Sequence, residues 1–209
     1  MKNVLKLNKL LFLLTFSFFI ISCDNDDNGT LPAPEELTIV ETAAATPELS
    51  ILVDALTAAD GDLLTTLSGG NFTVLAPTND AFVAFLSANG FASLDEVPTD
   101  VLSNILLNHV ITGSVMSTDL ASAGSGYTTT SATNMDGDNL SLYFTTSSGV
   151  EFNGLSTVVL ADIPASNGIV HVVDAVIGLP TVITFATSNP LFETLVAALT
   201  RDDLSEDLV

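Results

Sequence analysis

Three side chains in this sequence carry nucleophilic or basic chemistry: Cys23, His109 and His171, which are its only cysteine and histidines. A thiolate is a strong nucleophile, and a neutral imidazole accepts a proton near physiological pH. A catalytic histidine also needs an activated nucleophile and a third group that orients it. The sequence has no G-x-S-x-G motif that would supply the nucleophile. We therefore predict no catalytic residues, and we expect both histidines to be hydrogen-bonded at a strand edge or in the core.

One acidic segment, Asp136-Gly137-Asp138-Asn139, has the oxygen-rich composition of a calcium loop. A calcium-binding EF-hand needs a longer ligand loop that ends in glutamate and lies between two helices. Here apolar segments flank the motif, and Asp-Gly is a frequent hairpin turn. We therefore predict a turn at this place, no metal site and no cofactor.

The chemistry of Cys23 fits the segment that precedes it. Three lysines are followed by an apolar stretch from Leu10 to Ile21, which at ~1.5 Å per residue is too short to cross ~30 Å of hydrocarbon. This arrangement is typical of a secretory signal. The residues before the cysteine, Ile20-Ile21-Ser22, resemble the lipobox of bacterial lipoproteins, in which the thiol is alkylated by diacylglycerol. We expect a signal peptide at residues 1–22 and a lipid on Cys23 that makes a membrane its partner; an ordinary signal peptide is the alternative.

The charge of the remaining chain excludes a class of partner. After removal of the signal, Arg201 is the only basic residue beside 25 acidic ones, and binding to nucleic acid requires clustered Lys and Arg. The acidity favours surface hydration, with divalent-cation binding as the alternative. Residues 23–36 are acidic and contain Gly and Pro without apolar periodicity, which predicts a flexible, disordered tether. Its acidic start resembles sorting signals of Bacteroidetes surface lipoproteins, which implies the outer membrane and the cell surface.

Helical signals dominate the first half of the following region. Thr46, Asp60, Thr78 and Thr99 are each placed to cap a helix that has apolar residues at helical spacing. After His109 the pattern changes to short apolar segments between turn signals. Helices followed by strands predict an α+β fold with a mostly antiparallel sheet. The predicted strands or extended segments are 72–75, 110–116, 127–130, 140–145, 150–152, 158–161 and 169–173.

The tail repeats an earlier stretch at a constant offset of 143 residues. Pro47 matches Pro190, and Leu52-Val53 match Leu195-Val196. A period of this length is that of a domain and not of a solenoid unit. We predict one domain at residues 37–179 and the truncated start of a second at 180–209. The alternative is that the last helix packs on the first domain.

Three ordered motifs resemble those of the fasciclin domain family. The first signature is FTVLAPTNDAF at residues 72–82, and the second is NGIVHVVD at residues 167–174. Between them, NHVI at residues 108–111 occupies the place of the family's Tyr-His segment. The resemblance implies a β-sandwich or wedge with helices packed on it. It also implies an extracellular or membrane-anchored protein that is associated with adhesion and matrix binding and has no general catalytic activity.

The resemblance also indicates a candidate binding surface. Adhesive contacts have been proposed in this family at the Tyr-His segment and at an Asp-Ile pair near the second signature. Here Asn108 replaces the tyrosine, and the pair is present as Asp162-Ile163. The predicted surface therefore comprises Asn108, His109, Asp162, Ile163 and His171. The competing interpretation places Ile163 in the core and leaves Asp162 merely solvated.

These observations favour a lipid-anchored binding module of the bacterial cell envelope. We expect it to mediate adhesion to cells, matrix or glycans, with a protein or glycan ligand whose identity the sequence does not give. One alternative is an envelope protein that handles a small ligand or a polysaccharide, with a pocket lined by His109, Asp162 and His171. The other is a structural spacer in a longer array.

Overall fold

Seven strands close into a barrel in the computed structural model, which describes residues 36–199. Neighbouring strands are hydrogen-bonded in the order β1 to β7, and β7 returns to pair with β1. The β1–β7 pair is parallel and the other pairs are antiparallel. The strands are β1 (Phe72–Pro77), β2 (Val110–Thr112), β3 (Ser125–Thr133), β4 (Asn139–Thr145), β5 (Glu151–Phe152), β6 (Ser156–Ala165) and β7 (Gly168–Val173).

Eight α-helices accompany the barrel within the same described residues. They are α1 (Ile39–Ala44), α2 (Ser50–Ala58), α3 (Leu63–Gly69), α4 (Asn79–Ala88), α5 (Thr99–Asn108), α6 (Ser117–Ala123), α7 (Val182–Ser188) and α8 (Glu193–Leu199). Short 3₁₀ helices lie at Pro47–Leu49, Leu94–Glu96 and Pro190–Phe192. No helix of this part of the chain has the length and apolarity that a membrane crossing requires.

The predicted α+β class with a mostly antiparallel sheet is confirmed. A strand is present at each predicted place, but the extended segment 110–116 is a strand only over Val110–Thr112. Sequence patterns did not predict α1 and α6, which have six and seven residues. Predictions for the signal at 1–22, for Cys23 and for nearly all of the tether at 23–36 lie outside the described residues.

The helix caps show where local sequence was sufficient. Thr78 caps α4 as predicted, since its hydroxyl accepts a hydrogen bond from the third residue of the turn at 3.2 Å. The prediction for Asp60 is wrong, because Asp62 precedes α3 with a left-handed φ of 50°. The Asp60 carboxylate instead accepts a hydrogen bond from the hydroxyl of Thr99, which is the first residue of α5 and not its cap. Thr46 precedes the first 3₁₀ helix without a side-chain cap.

Two apolar clusters form the core, and β1 and β7 contribute to both. Val74, Ala76, Val170 and Val172 belong to the cluster shared with the helices. Leu75 and Val173 face the opposite cluster with residues of β2, β4, β5 and α6. A strand that is buried on both faces needs apolar side chains at successive positions, which explains why β1 and β7 are mostly apolar, with the buried polar residues Thr73 and His171 as exceptions.

The turn before β7 joins distant parts of the fold through the side chain of Asn167. Its amide oxygen accepts a hydrogen bond from the N–H of Ile39 at 2.9 Å. Its amide nitrogen donates to the carbonyls of Leu67 at 2.6 Å and Gly70 at 3.2 Å. One side chain thus satisfies main-chain groups at the start of α1 and near the end of α3, where helix termini leave groups unpaired.

Gly168, the next residue, has no room for a side chain. Its φ is 147°, and a Cβ atom would lie 1.9 Å from the carbonyl oxygen of Phe72 in β1. The close approach is needed because β7 pairs with β1 in register from this residue onward, with Gly168 opposite Phe72. The Asn-Gly turn is therefore required for closing the barrel as well as for reversing the chain.

Substitution Gly168→Ala is expected to destabilise the fold by about 3 kcal/mol or more, because the barrel must open locally to admit the methyl group. The free energy of unfolding from urea denaturation measures this. Gly178→Ala is the matched control, since a Cβ there would meet nothing within 4 Å, and it should change stability by less than about 1 kcal/mol. Equal stability of the two variants would contradict the close approach.

Candidate functional site

Asp162 lies where β6 departs from regular pairing with β7. The register shifts between Leu160 and Ile163, and Asp162 adopts a left-handed φ of 59°. Its N–H donates a hydrogen bond to Nδ1 of His171 at 3.0 Å. Because Nδ1 is then an acceptor, the ring proton is on Nε2, which donates to the carbonyl of Val115 at 2.9 Å. The buried His171 ring thus holds the irregular backbone of β6 in place.

The Asp162 carboxylate binds the first turn of α6. One oxygen accepts a hydrogen bond from the N–H of Ser117 at 2.8 Å, and the other accepts from the Ser117 hydroxyl. These bonds hold the pKa of Asp162 below its ordinary value, since they favour the charged form. The side chain keeps 26% of its surface exposed and lies 4.0 Å from Nδ1 of His171. Asp162 is therefore a fixed carboxylate at the surface.

His109 is a buried ring with both nitrogens engaged by the main chain. Nδ1 donates to the carbonyl of Ile105 at 2.8 Å, and Nε2 accepts from the N–H of Ile177 at 2.9 Å. Burial lowers its pKa from 6.5 to about 4, and the bond to Ile105 opposes this effect. A proton on Nε2 would also face the N–H of Ile177 and break that bond. The ring is therefore neutral and fastens the end of α5 to the chain after β7.

Asn108 connects three parts of the fold. Its amide nitrogen donates to the carbonyls of Gly178 at 3.0 Å and Ile177 at 3.3 Å. Its amide oxygen accepts a hydrogen bond from the Thr130 hydroxyl in β3 at 3.1 Å. The side chain is fully buried. A tyrosine ring is not required for this role, because the short amide itself reaches all of these partners.

Four of the five predicted residues form two pairs on either side of β1, and the fifth, Ile163, packs on the helical core cluster. Asp162 contacts His171, while Asn108 and His109 both bind the Ile177–Gly178 segment. Leu75 separates the pairs: its N–H donates to the carbonyl of His109 at 2.9 Å, and it pairs with His171 across the parallel ladder. Both histidines are buried and hydrogen-bonded, as predicted. Binding by this set of residues stays a prediction.

Several apolar residues that are near Asp162 along β6, or adjacent to its partner Ser117, are exposed and were not among the predicted site residues. Val159 and Leu160 are 58% and 56% exposed on β6, whereas Ile163 is half-buried and packs on the helical core cluster. Met116, next to the Ser117 that binds Asp162, is 44% exposed. We call Met116, Val159, Leu160 and Asp162 the β6 bulge surface. The sequence signal was the run Val158-Val159-Leu160 in a strand with one buried face, because at least one of three successive residues must point outward.

The acidic segment 136–139 forms the predicted hairpin turn between β3 and β4. The side-chain oxygen of Asn134 accepts hydrogen bonds from the N–H groups of Asp136 and Asp138, both at 2.9 Å. Gly137 has a φ of 87°, as a tight turn requires. Within residues 36–199, no group of three or more Asp, Glu, His or Cys side chains is arranged to hold a metal ion.

Acid is expected to weaken the fold through His109. Below pH 6.5 the unfolded chain binds a proton on this ring, but the folded chain does so only near pH 4. The contribution of His109 to the free energy of unfolding is therefore fully present above pH 6.5, and it falls by roughly 3 kcal/mol as the pH drops toward 4. His109→Gln should lack this part of the loss, and urea denaturation across this pH range measures it.

The native chain and the His109→Gln variant share every other titratable group. The test therefore uses only the difference between their unfolding free energies as a function of pH. The lowered pKa of Asp162 acts in a separate range, because its contribution is lost only below its ordinary value of 3.8. Parallel pH profiles for the two chains would show that His109 does not remain neutral in the fold.

Comparison with known proteins gives a family for this architecture. A family model of the fasciclin domain matches residues 47–180, which is more than half of the chain. Protein sll1483 of Synechocystis is 38% identical over 142 residues, which cover 68% of this chain and 73% of that protein. The uncharacterized protein sll1735 of the same organism is 35% identical over 140 residues, which cover 66% and 96%.

A mycobacterial relative and a solved structure are matched over smaller shares of their own length. Cell surface glycolipoprotein MPB83 of Mycobacterium bovis is 38% identical over 90 residues, which span 41% of this chain and 39% of that protein. The structure of a FAS1 domain pair from the insect cell adhesion molecule fasciclin I aligns with a TM-score of 0.49 and 21% identity, over 71% of this chain and 51% of that one. The family model that matches is not that of a catalytic family. Because the fasciclin model matches more than half of the chain and the two Synechocystis proteins are 38% and 35% identical to it, the chain belongs to the fasciclin domain family.

Proposed function

We propose that this chain is a lipid-anchored binding module of a bacterial cell envelope that adheres to cells, matrix or glycans. The observation that carries the proposal is the β6 bulge surface, in which exposed apolar residues are near a fixed carboxylate along the irregular strand. Clustered exposed apolar side chains with a polar rim are typical of interaction sites. The Cys23 segment supports attachment to a membrane, and one relative carries the name of a cell surface glycolipoprotein.

The geometry of the site suits contact better than turnover. The backbone of β6 is held by His171, and the carboxylate of Asp162 is held by Ser117, so little conformational freedom is lost when a partner binds. Both nitrogens of each histidine ring are used by main-chain groups. Neither ring can transfer a proton without losing a bond that supports the fold. In this proposal, Asp162 contacts the partner, while His171 and Ile163 hold Asp162 in position.

The proposal predicts that a charge within the β6 bulge surface weakens adhesion. Val159→Asp should lower attachment at least about tenfold, since it places an unpaired carboxylate in an apolar contact. Attachment to surfaces and to neighbouring cells is measured in a deletion strain that carries the variant gene. Val83→Asp is the matched control, because Val83 in α4 is also 58% exposed and receives the same charge. If the two variants attach equally well, the β6 bulge surface is not the adhesive contact.

The anchor has a separate test at Cys23. Cys23→Ser should abolish incorporation of labelled fatty acid and shift the protein from the membrane fraction to the soluble fraction. A hydroxyl does not replace the thiolate in thioether formation, and the anchoring energy of ~0.8 kcal/mol per methylene is then lost. Retention of the variant in washed membranes would contradict a lipid anchor. This outcome is independent of the adhesion assay with Val159→Asp.

A further inference from the structure

The last described helices repeat the architecture of the first ones. Helix α1, the 3₁₀ helix Pro47–Leu49 and α2 begin at residues 39, 47 and 50. Helix α7, the 3₁₀ helix Pro190–Phe192 and α8 begin at residues 182, 190 and 193. All three elements recur at the same offset of 143 residues that relates the two sequences. We call residues 39–58 the first helical unit and residues 182–199 the second helical unit.

The two helical units also start in the same way. The Thr38 hydroxyl accepts a hydrogen bond from the N–H of Glu41, and the Glu41 carboxylate accepts from the N–H of Thr38 at 2.8 Å. The Thr181 hydroxyl accepts from the N–H of Thr184, and the Thr184 hydroxyl accepts from the N–H of Thr181 at 3.1 Å. Both starts are thus capping boxes, which form locally and do not depend on tertiary contacts.

Burial differs completely between the units. Ile39, Leu49 and Leu52 are 2%, 0% and 3% exposed, because the first helical unit covers the core cluster that contains Val74 and Val170. The matching residues of the second unit are Val182, Phe192 and Leu195, and they are 85%, 39% and 49% exposed. The second unit therefore presents apolar side chains at the positions that contact a barrel in the first.

The second unit is joined to this barrel by a different side. Asn189 is buried and donates a hydrogen bond to the Tyr127 hydroxyl at 2.8 Å. The Phe185 ring lies edge-on to the Tyr127 ring, with 5.9 Å between centroids, and Tyr127 also packs on Tyr143. These contacts fix α7 on β3 and leave the Val182, Phe192 and Leu195 face uncovered.

We propose that this face is the helical cover of a second fasciclin-type core, which it contacts as the first helical unit contacts β1 and β7. The occupant is an apolar barrel face of the same kind as that formed by Val74, Ala76, Val170 and Val172. The two units correspond position by position at the 143-residue offset. Side chains that are buried against the barrel in the first unit have apolar counterparts that are exposed in the second. The anchor at Tyr127 then holds the two domains side by side with little freedom between them.

The test continues the chain after residue 199 with a second core in register, in place of residues 200–209. Residues 57–179 are appended after residue 199, so that the second helical unit precedes them as the first unit precedes residue 57 in the native chain. The appended segment carries a uniform ¹⁵N label, introduced by segmental ligation, so that its peptides differ in mass from those of residues 57–179. Hydrogen exchange measured by mass spectrometry then follows the two copies separately. We expect slow exchange that Leu195→Asp accelerates about 100-fold or more in the appended part, while exchange in residues 60–177 stays unchanged.

Ala197→Asp is the matched control. Ala197 corresponds to Asp54, which is exposed on α2, so the substitution reproduces the residue that the first unit carries there. It should leave protection of the appended core intact. The proposal is overturned if the appended core is never protected, or if Leu195→Asp and Ala197→Asp have the same effect. It is equally overturned if the native chain forms a dimer that Leu195→Asp dissociates, since a second copy would then be the occupant of the face.

Discussion

The parallel pairing of β1 with β7 is the constraint on which the rest of this structure depends. It closes the barrel, and it does so between strands that are buried on both faces. The close approach of Gly168 to Phe72 starts the ladder, and Asn167 links the same turn to α1 and α3. Closure removes free strand edges, which would otherwise offer main-chain groups to other chains.

Buried polar side chains stabilise the closed barrel where covalent links are absent. With Cys23 as the only cysteine, no disulfide can form within the chain. Asn108 and His109 bind the segment after β7. A buried side chain that satisfies main-chain groups is costly to remove, since its partners are left unpaired. The polar residues of the family motifs therefore act mainly in folding.

The candidate surfaces for function expose apolar side chains, whereas both histidine rings are buried and engaged by the main chain. The β6 bulge surface includes Asp162 and two consecutive apolar residues, Val159 and Leu160, that are exposed on the irregular strand. The second helical unit exposes its apolar residues beyond the Tyr127 contact. In a chain with 25 acidic residues, such patches stand out from a surface dominated by carboxylates. The first patch supports a role in adhesion, and the second supports docking of another fasciclin core.

The sequence by itself determined the fold class, the hairpin turns and the cap at Thr78, because these depend on neighbours within a few residues. The family motifs also indicated the candidate site, which stays a prediction. Local signals failed at Asp60, whose carboxylate is used by Thr99 from a distant helix, and at the short helices α1 and α6. Tertiary structure alone decided which candidate residues reach the surface. Strand alternation does not reveal that the side chains of Asn108 and His109 are hydrogen-bonded to the main chain of Ile177 and Gly178. Nor does it reveal that Asp162, at a register shift of β6, is partly exposed. Such contacts join residues far apart in the chain, and only the closed barrel brings them together.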